Sequence, residues 1–202
     1  MVEKHWTTPR YYNISKELEN DRNYILKTIR KRGTSLEFVT KKFQQDKEIV
    51  LASVSLDSSS LKYASENLKN DKEIVSKAVS ENGSALRYAS ERLKNDKEIV
   101  SIAVMQSENA LKYASDILKN DKEIVMISID YDSFAFSIQY ASKELRNDRE
   151  IILQAGKKSG MSLQYVSKEL KKDKEIVEIA AMQNCNALKF VSDEFRNNRE
   201  LI

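Results

Sequence analysis

The chain has 202 residues, 41% hydrophobic and 32% charged, with one Pro and four Gly, a composition suited to a soluble helical protein with a sizeable elongated core. Its formal net charge of +3 comes from Lys and Arg interleaved with Asp and Glu, not from runs of one sign. No apolar stretch is long enough for a membrane span or a signal-peptide core, and the lone Cys185 excludes an intrachain disulfide. That cysteine usage favours a reducing compartment, the cytoplasm or that of a host if the protein is an effector.

Residues 1–10, which hold His5, Trp6 and Pro9, precede any pattern and read as a lead or start cap. Trp6 is suited to cover the apolar end of the first unit. From residue 11 to residue 202 the chain reads as one array of seven to eight helical hairpins, the last incomplete. The acidic residue of an Asn-Asp-Lys-Glu-like turn recurs at Asp21, Asp46, Asp71, Asp96, Asp121, Asp148 and Asp173, with Asn198 in the eighth place. The step is 25 residues everywhere except for one of 27 between Asp121 and Asp148. A fixed period of this size marks a stacked array. The first unit matches imperfectly, with Asn13, Ile14, Ser15 and Leu18 in its first helix, Tyr24 and Ile25 opening its second and Gly33 ending it.

The unit from Ser84 to Ser107 stands for the rest. Ser84 caps a first helix over Ala85–Lys94, with Gly83 before it free to take positive φ. Asn95 and Asp96 form the turn; Asn95 with Glu98 has capping-box spacing, and Asp96 is the alternative cap. A second helix runs over Lys97–Gln106. Ten-residue helices do not hold alone in water, so packing must hold them. At about 100° per residue, Leu86, Ala89, Ser90 and Leu93 share one face, and Ile99, Val100, Ala103 and Val104 another, while Arg87, Glu91 and Lys94 point outward. The apolar arc is wide enough for contact with a partner helix and both neighbouring units. A column of small residues, Thr28, Ser53, Ala78, Ala103, Ser128, Ala155 and Ala180, lets the helices approach closely. The fold expected is all-α, an α-solenoid of short helix-turn-helix repeats, a right-handed superhelix or a gently curved one.

Three regular units cover Leu36 to Asn109. After Ile129 the segment Asp130–Ser137 carries two extra residues and three aromatics, which predicts a bulged loop or a lengthened helix. Gly156 stands where Val or Ile is usual, as a point of close backbone approach or a weak unit. The chain stops at Leu201 and Ile202, early in a second helix, as expected of a piece of a longer protein or of an end that self-associates.

Ala85–Val100 reads ALRYASERLKNDKEIV and Ala110–Val125 reads ALKYASDILKNDKEIV. This pattern at this spacing resembles the repeats of the family catalogued as domain of unknown function 4116, over about Asn13 to Ile202. The resemblance implies a repeat often found beside other domains. It transfers no activity and no site residues, and the insertion near Phe134 departs from its regular pattern.

Nothing points to catalysis, a cofactor or a metal: there is one His, one Cys without a His neighbour, no Gly-rich phosphate loop and no ligand cluster. Capping and the helix dipole account for the recurring Asp96 and Glu98. The aromatic column Phe38, Tyr63, Tyr88, Tyr113, Tyr140, Tyr165 and Phe190 reads as packing between units, because Phe at both ends shows the hydroxyl dispensable. Two surfaces remain. The freely varying side of the second helices carries Ile102, Met105, Ile127, Tyr131, Ile179 and Met182, with Phe134 and Phe136 in the insertion, a composition that fits a protein partner. Lys69, Lys94, Lys119, Arg146, Lys171 and Arg196 line an outward edge that could follow a nucleic-acid backbone; Lys62, Arg87 and Lys112 flank it, each within reach of Glu66, Glu91 or Asp116 four residues on. The expected function is a non-enzymatic scaffold for protein–protein interaction, the alternatives being nucleic-acid binding along the basic edge and a structural spacer or oligomerisation arm of a larger protein.

Overall fold

The computed structural model describes residues 20–32 and 35–191. The readings made for His5, Trp6, Pro9, Asn13–Leu18, Gly33, Arg196, Asn198, Leu201 and Ile202 lie outside the described residues. Among those described there is no strand. Seven long helices repeat along the chain: α1 (Arg22–Arg32), α2 (Lys47–Leu56), α3 (Lys72–Glu81), α4 (Lys97–Gln106), α5 (Lys122–Tyr131), α6 (Arg149–Lys158) and α7 (Lys174–Gln183). Each packs on the next, and the short segments between them pack on the long helices either side, so the protein is an all-α repeat solenoid.

The long helices form where the spacing places them, and the reason is local. Asp96 precedes α4 with an extended backbone, and its carboxylate accepts from the Glu98 and Ile99 N–H groups, two donors the helix itself cannot satisfy. Asp21, Asp46, Asp71 and Asp148 do the same for their own helices, and Asp121 and Asp173 accept from one such N–H each. Asp96, not Asn95, is therefore the cap. Ile99, Val100, Ala103 and Val104 are fully buried, each large one contributing roughly 1.5–3 kcal/mol. The small column from Thr28 to Ala180 is buried throughout.

The first helix of each unit between residues 35 and 191 is not one helix. Gly83–Tyr88 forms a 3-10 segment, Ala89 and Ser90 are extended, and Glu91–Lys94 adds a single α turn. Two interactions open the helix there. The Ser90 N–H donates across the joint to the Lys69 carbonyl at 3.0 Å, and the Ser90 hydroxyl accepts from the Leu93 N–H. Ser65, Ser115, Ser142 and Ser167 make the same backbone bond to Gln44, Lys94, Lys119 and Arg146. A continuous helix would consume that N–H internally. The inward residues are unaffected: Leu86, Ala89 and Leu93 are buried.

Two further readings of this unit are corrected. Ser84 does not cap; Asn82 does, accepting from the Ser84 N–H at 2.9 Å, while the Ser84 hydroxyl meets that of Ser107, just past the end of α4. Gly83 does not take positive φ; it opens the 3-10 segment. Its lack of a side chain serves proximity instead: a Cβ there would lie 2.0 Å from the Ala103 carbonyl oxygen.

The insertion is a bulged loop; α5 keeps the same ten residues as its neighbours. Asp132, fully buried, holds the bulge by accepting from the Phe134 and Ser137 N–H groups, and Ala135 turns the chain at φ 52°. From the next unit, the Lys158 ammonium donates to the Ile129, Asp130 and Asp132 carbonyls at the end of α5. Gly156 admits no backbone. The nearest atom to a Cβ there would be Ile179 Cγ2 at 3.7 Å, an ordinary contact. Gly156→Ala is therefore expected to stabilise the chain by about 0.5–1 kcal/mol, through helix propensity and a less flexible unfolded state. A urea titration checks this, and a lower midpoint would refute it.

Candidate partner-binding surface

One end of the long helices is closed by charge. Lys97, first in α4, donates to Asp121 at 2.7 Å and pairs with Glu123 at 2.8 Å, both in the following unit. The same step recurs from Arg22 to Asp46 and Glu48, Lys47 to Asp71 and Glu73, Lys72 to Asp96 and Glu98, Lys122 to Asp148 and Glu150, and Arg149 to Asp173 and Glu175. The recurring Asp and Glu thus do more than cap: they tie each unit to the one before. The Asn of the same turn works likewise, Asn70 and Asn95 accepting from the Ser90 and Ser115 hydroxyls.

Partial burial pushes the Asp96 carboxyl upward, but the hydrogen bonds from Lys72 and from the Ile99 and Glu98 N–H groups outweigh it and leave the group below the usual range. Asp71, Asp121 and Asp148 follow the same balance, while at Asp46 and Asp173 the arginine hydrogen bond leads. A folded pKa below the unfolded value means the unfolded chain binds more protons between the two. The contribution is therefore complete above the ordinary Asp value of about 3.9 and is lost as pH falls through the depressed ones. The melting temperature is expected to be flat from about pH 5 to 8 and to drop below about pH 4, and the drop should shrink in Asp96→Asn, which keeps a cap but not the charge. An acid profile identical to that of the parent chain would refute the role of the seam.

The basic edge is largely internal. Lys69, Lys94 and Lys119 are mostly covered and pair with Glu66, Glu91 and Asp116 in their own turns at 2.8, 2.8 and 3.3 Å. Those carboxylates do not serve Lys62, Arg87 and Lys112, whose cations lie instead over the rings of Tyr63, Tyr88 and Tyr113. Arg196 lies outside the described residues. The tyrosines are half-buried against the core.

The varying side of the long helices is more covered than a helical wheel implies. Ile102 and Ile127 are half-buried against the core, and Met105, Phe136 and Ile179 are half-buried too. Three of the eight residues stand out in solvent: Tyr131 at 62%, Phe134 at 59% and Met182 at 87% exposure. Tyr131 ends α5, and Phe134 follows in the bulge, its ring stacked on Phe136 with centroids 5.7 Å apart. Tyr131, Phe134 and Phe136 fall within six residues of chain; Met182 sits two units further along, near the end of α7. Leu56 and Ile117, also exposed, escaped the sequence reading. Leu56 occupies the column of Tyr131, and with Arg30, Glu48, Leu51, Ala52 and Ser55 it lines a shallow groove of about 370 Å³ between α1 and α2.

Among the described residues no group of His, Cys, Asp and Glu is placed to hold a metal ion, Cys185 is exposed, and no helix is long and apolar enough to cross a membrane. No curated protein and no solved structure matches the chain. The model of one family matches residues 46–94, 74–119, 96–137, 121–171 and 173–202, and the chain belongs to that repeat family, described as Domain of unknown function (DUF4116).

Proposed function

We propose that the chain is a non-enzymatic scaffold that engages a protein partner through the bulge end of the long helices, centred on Tyr131 and Phe134. The supporting observation is the coincidence of the one departure from the 25-residue step with two exposed aromatic rings, on an array whose other long-helix ends carry mostly polar residues. The bulge is rigidly anchored through Asp132 and Lys158, so the rings are presented without a large ordering cost. Aromatics in a fixed frame are the usual anchors of protein interfaces.

The test is recovery of a partner by the wild-type chain, by Tyr131→Ala with Phe134→Ala, and by Ile117→Ala as an equally exposed control. Loss of at least ten-fold in the double variant alone is expected, at about 1.4 kcal/mol per decade of affinity. Equal recovery by all three would reject this surface and leave the spacer role.

A further inference from the structure

The units that carry Tyr140 and Tyr165 differ from the three that carry Tyr63, Tyr88 and Tyr113, and two differences coincide there. Before Tyr63, Tyr88 and Tyr113 stands a cation, which lies 5.2, 4.5 and 5.8 Å from the ring centroid. Before Tyr140 and Tyr165 stand Gln139 and Gln164, whose amides turn back to the Phe136 and Met161 carbonyls. Among the described residues no cation covers these two rings. The second difference is at the basic edge. The Glu66, Glu91 and Asp116 positions, which neutralise Lys69, Lys94 and Lys119, are taken by the exposed Lys143 and Lys168.

The freed cations are poorly satisfied. Arg146 Nε is buried with no hydrogen-bond partner, and the Lys171 ammonium reaches the Gln164 carbonyl at 3.1 Å, beside Tyr165 in the chain. The two turns adjoin, since the Ser167 N–H donates to the Arg146 carbonyl and the Ser167 hydroxyl to Asn147. Two carboxylates share the turns: Glu144, which accepts from Asn120 of the preceding unit, and the exposed Glu169. Over the turns alone, residues 139–148 and 164–173 hold five Lys and Arg against four Asp and Glu, as do 87–96 and 112–121, so the difference lies in where the cations stand and not in their number.

We propose that this edge binds a single strand of nucleic acid, its phosphodiesters on Lys143, Arg146, Lys168 and Lys171 and its bases against the solvent-facing parts of the half-buried Tyr140 and Tyr165 rings, which lack the cation that lies over Tyr63, Tyr88 and Tyr113; the Tyr140 hydroxyl donates to Asn109 at 3.1 Å. Cations that follow a backbone beside open aromatic faces are the general means of gripping a strand without reading its sequence. An acidic polypeptide would meet the cations but make no use of the two rings. The two surfaces share no residue, so Tyr131→Ala with Phe134→Ala and Lys143→Glu with Lys168→Glu test them separately.

The test is fluorescence anisotropy with the full chain and labelled uridine RNA or thymidine DNA of about 12 nucleotides, titrated from about 50 to 200 mM salt, the two strands separating the two sources of the same chemistry. Binding is expected at low salt, weakening with salt by about 0.7 in log–log slope for each phosphate held. Lys143→Glu with Lys168→Glu installs the carboxylate that Glu66 and Glu91 already supply elsewhere, so its thermal melt should be unchanged while affinity falls at least roughly ten-fold and the slope flattens. Gln164→Arg should cover Tyr165 as Arg87 covers Tyr88, and is expected to weaken binding although it adds a positive charge. Absence of binding at low salt, an unaltered affinity in the Lys143/Lys168 variant, tighter binding by Gln164→Arg, or equal displacement by a poly-glutamate peptide or anionic vesicles would each overturn the proposal.

Discussion

Leu93→Asp is expected to unfold most of the described chain. Leu93 is completely buried, in a turn that packs on its own α4 and follows the Ser90 bond to Lys69 of the preceding unit. Truncating such a leucine alone costs about 2–5 kcal/mol, and a carboxylate adds the cost of a charge with no partner within an apolar layer. Units of this kind are held mainly by contact with their neighbours, so a failed central joint leaves two shorter stacks, each with a newly exposed apolar end. Circular dichroism should show loss of most helical signal at 25 °C or a melting temperature lowered by tens of degrees. Ile117→Asp is the matched control, one residue from the equivalent Leu118 but 70% exposed, and it should melt like the parent. An unchanged melt for Leu93→Asp would show that the inward face has been assigned wrongly.

Gly83→Ala is expected to be nearly as damaging, for a steric reason. The added methyl carbon would stand 2.0 Å from the Ala103 oxygen, 2.9 Å from its carbonyl carbon and 3.1 Å from Ser107 Cβ. Two of those atoms are backbone, so no side chain can swing aside. The unit must move away from α4, which opens the buried layer around Leu86 and Ala103, and a loss of about 3 kcal/mol or more follows from overpacking of this severity. Gly160→Ala should behave alike, since its Cβ would meet the Ala180 oxygen at 2.1 Å. The contrast with Gly156→Ala is the informative measurement: three alanine substitutions, two strongly destabilising and one stabilising, ranked by urea midpoint. Equal effects from all three would refute the close approach.

The long helices and their buried faces were legible in the sequence because both depend on neighbours three or four residues away. Ile99, Val100, Ala103 and Val104 follow from spacing, and Asp96 needs only the N–H groups just after it. The interruption at Ala89 and Ser90 was not legible. A continuous helix and the observed 3-10 segment with its extra turn bury the same Leu86, Ala89 and Leu93, and what selects between them is the Lys69 carbonyl, 21 residues back. The seam from Lys97 to Asp121 and Glu123 was hidden for the same reason: the residues recur visibly, but their partners belong to the adjoining copy. The candidate surface divides along this line. Tyr131 and Phe134 stand at a visible break in the step, whereas the depth of Ile102 and Ile127 depends on how closely the next helix lies over them.

The sameness of the joints bears on how such a chain changes size. Excising residues 71–95 would bring Lys47 to Asp96 and Glu98, and Ser115 to Lys69, each a pairing the molecule already uses one copy along. Recombination between copies in the gene can therefore lengthen or shorten the rod by whole modules, with every surviving junction still chemically matched. Length is free to vary by duplication and loss, while a slip of one or two codons survives only where, as at Asp132, the chain finds a way to tie off the surplus.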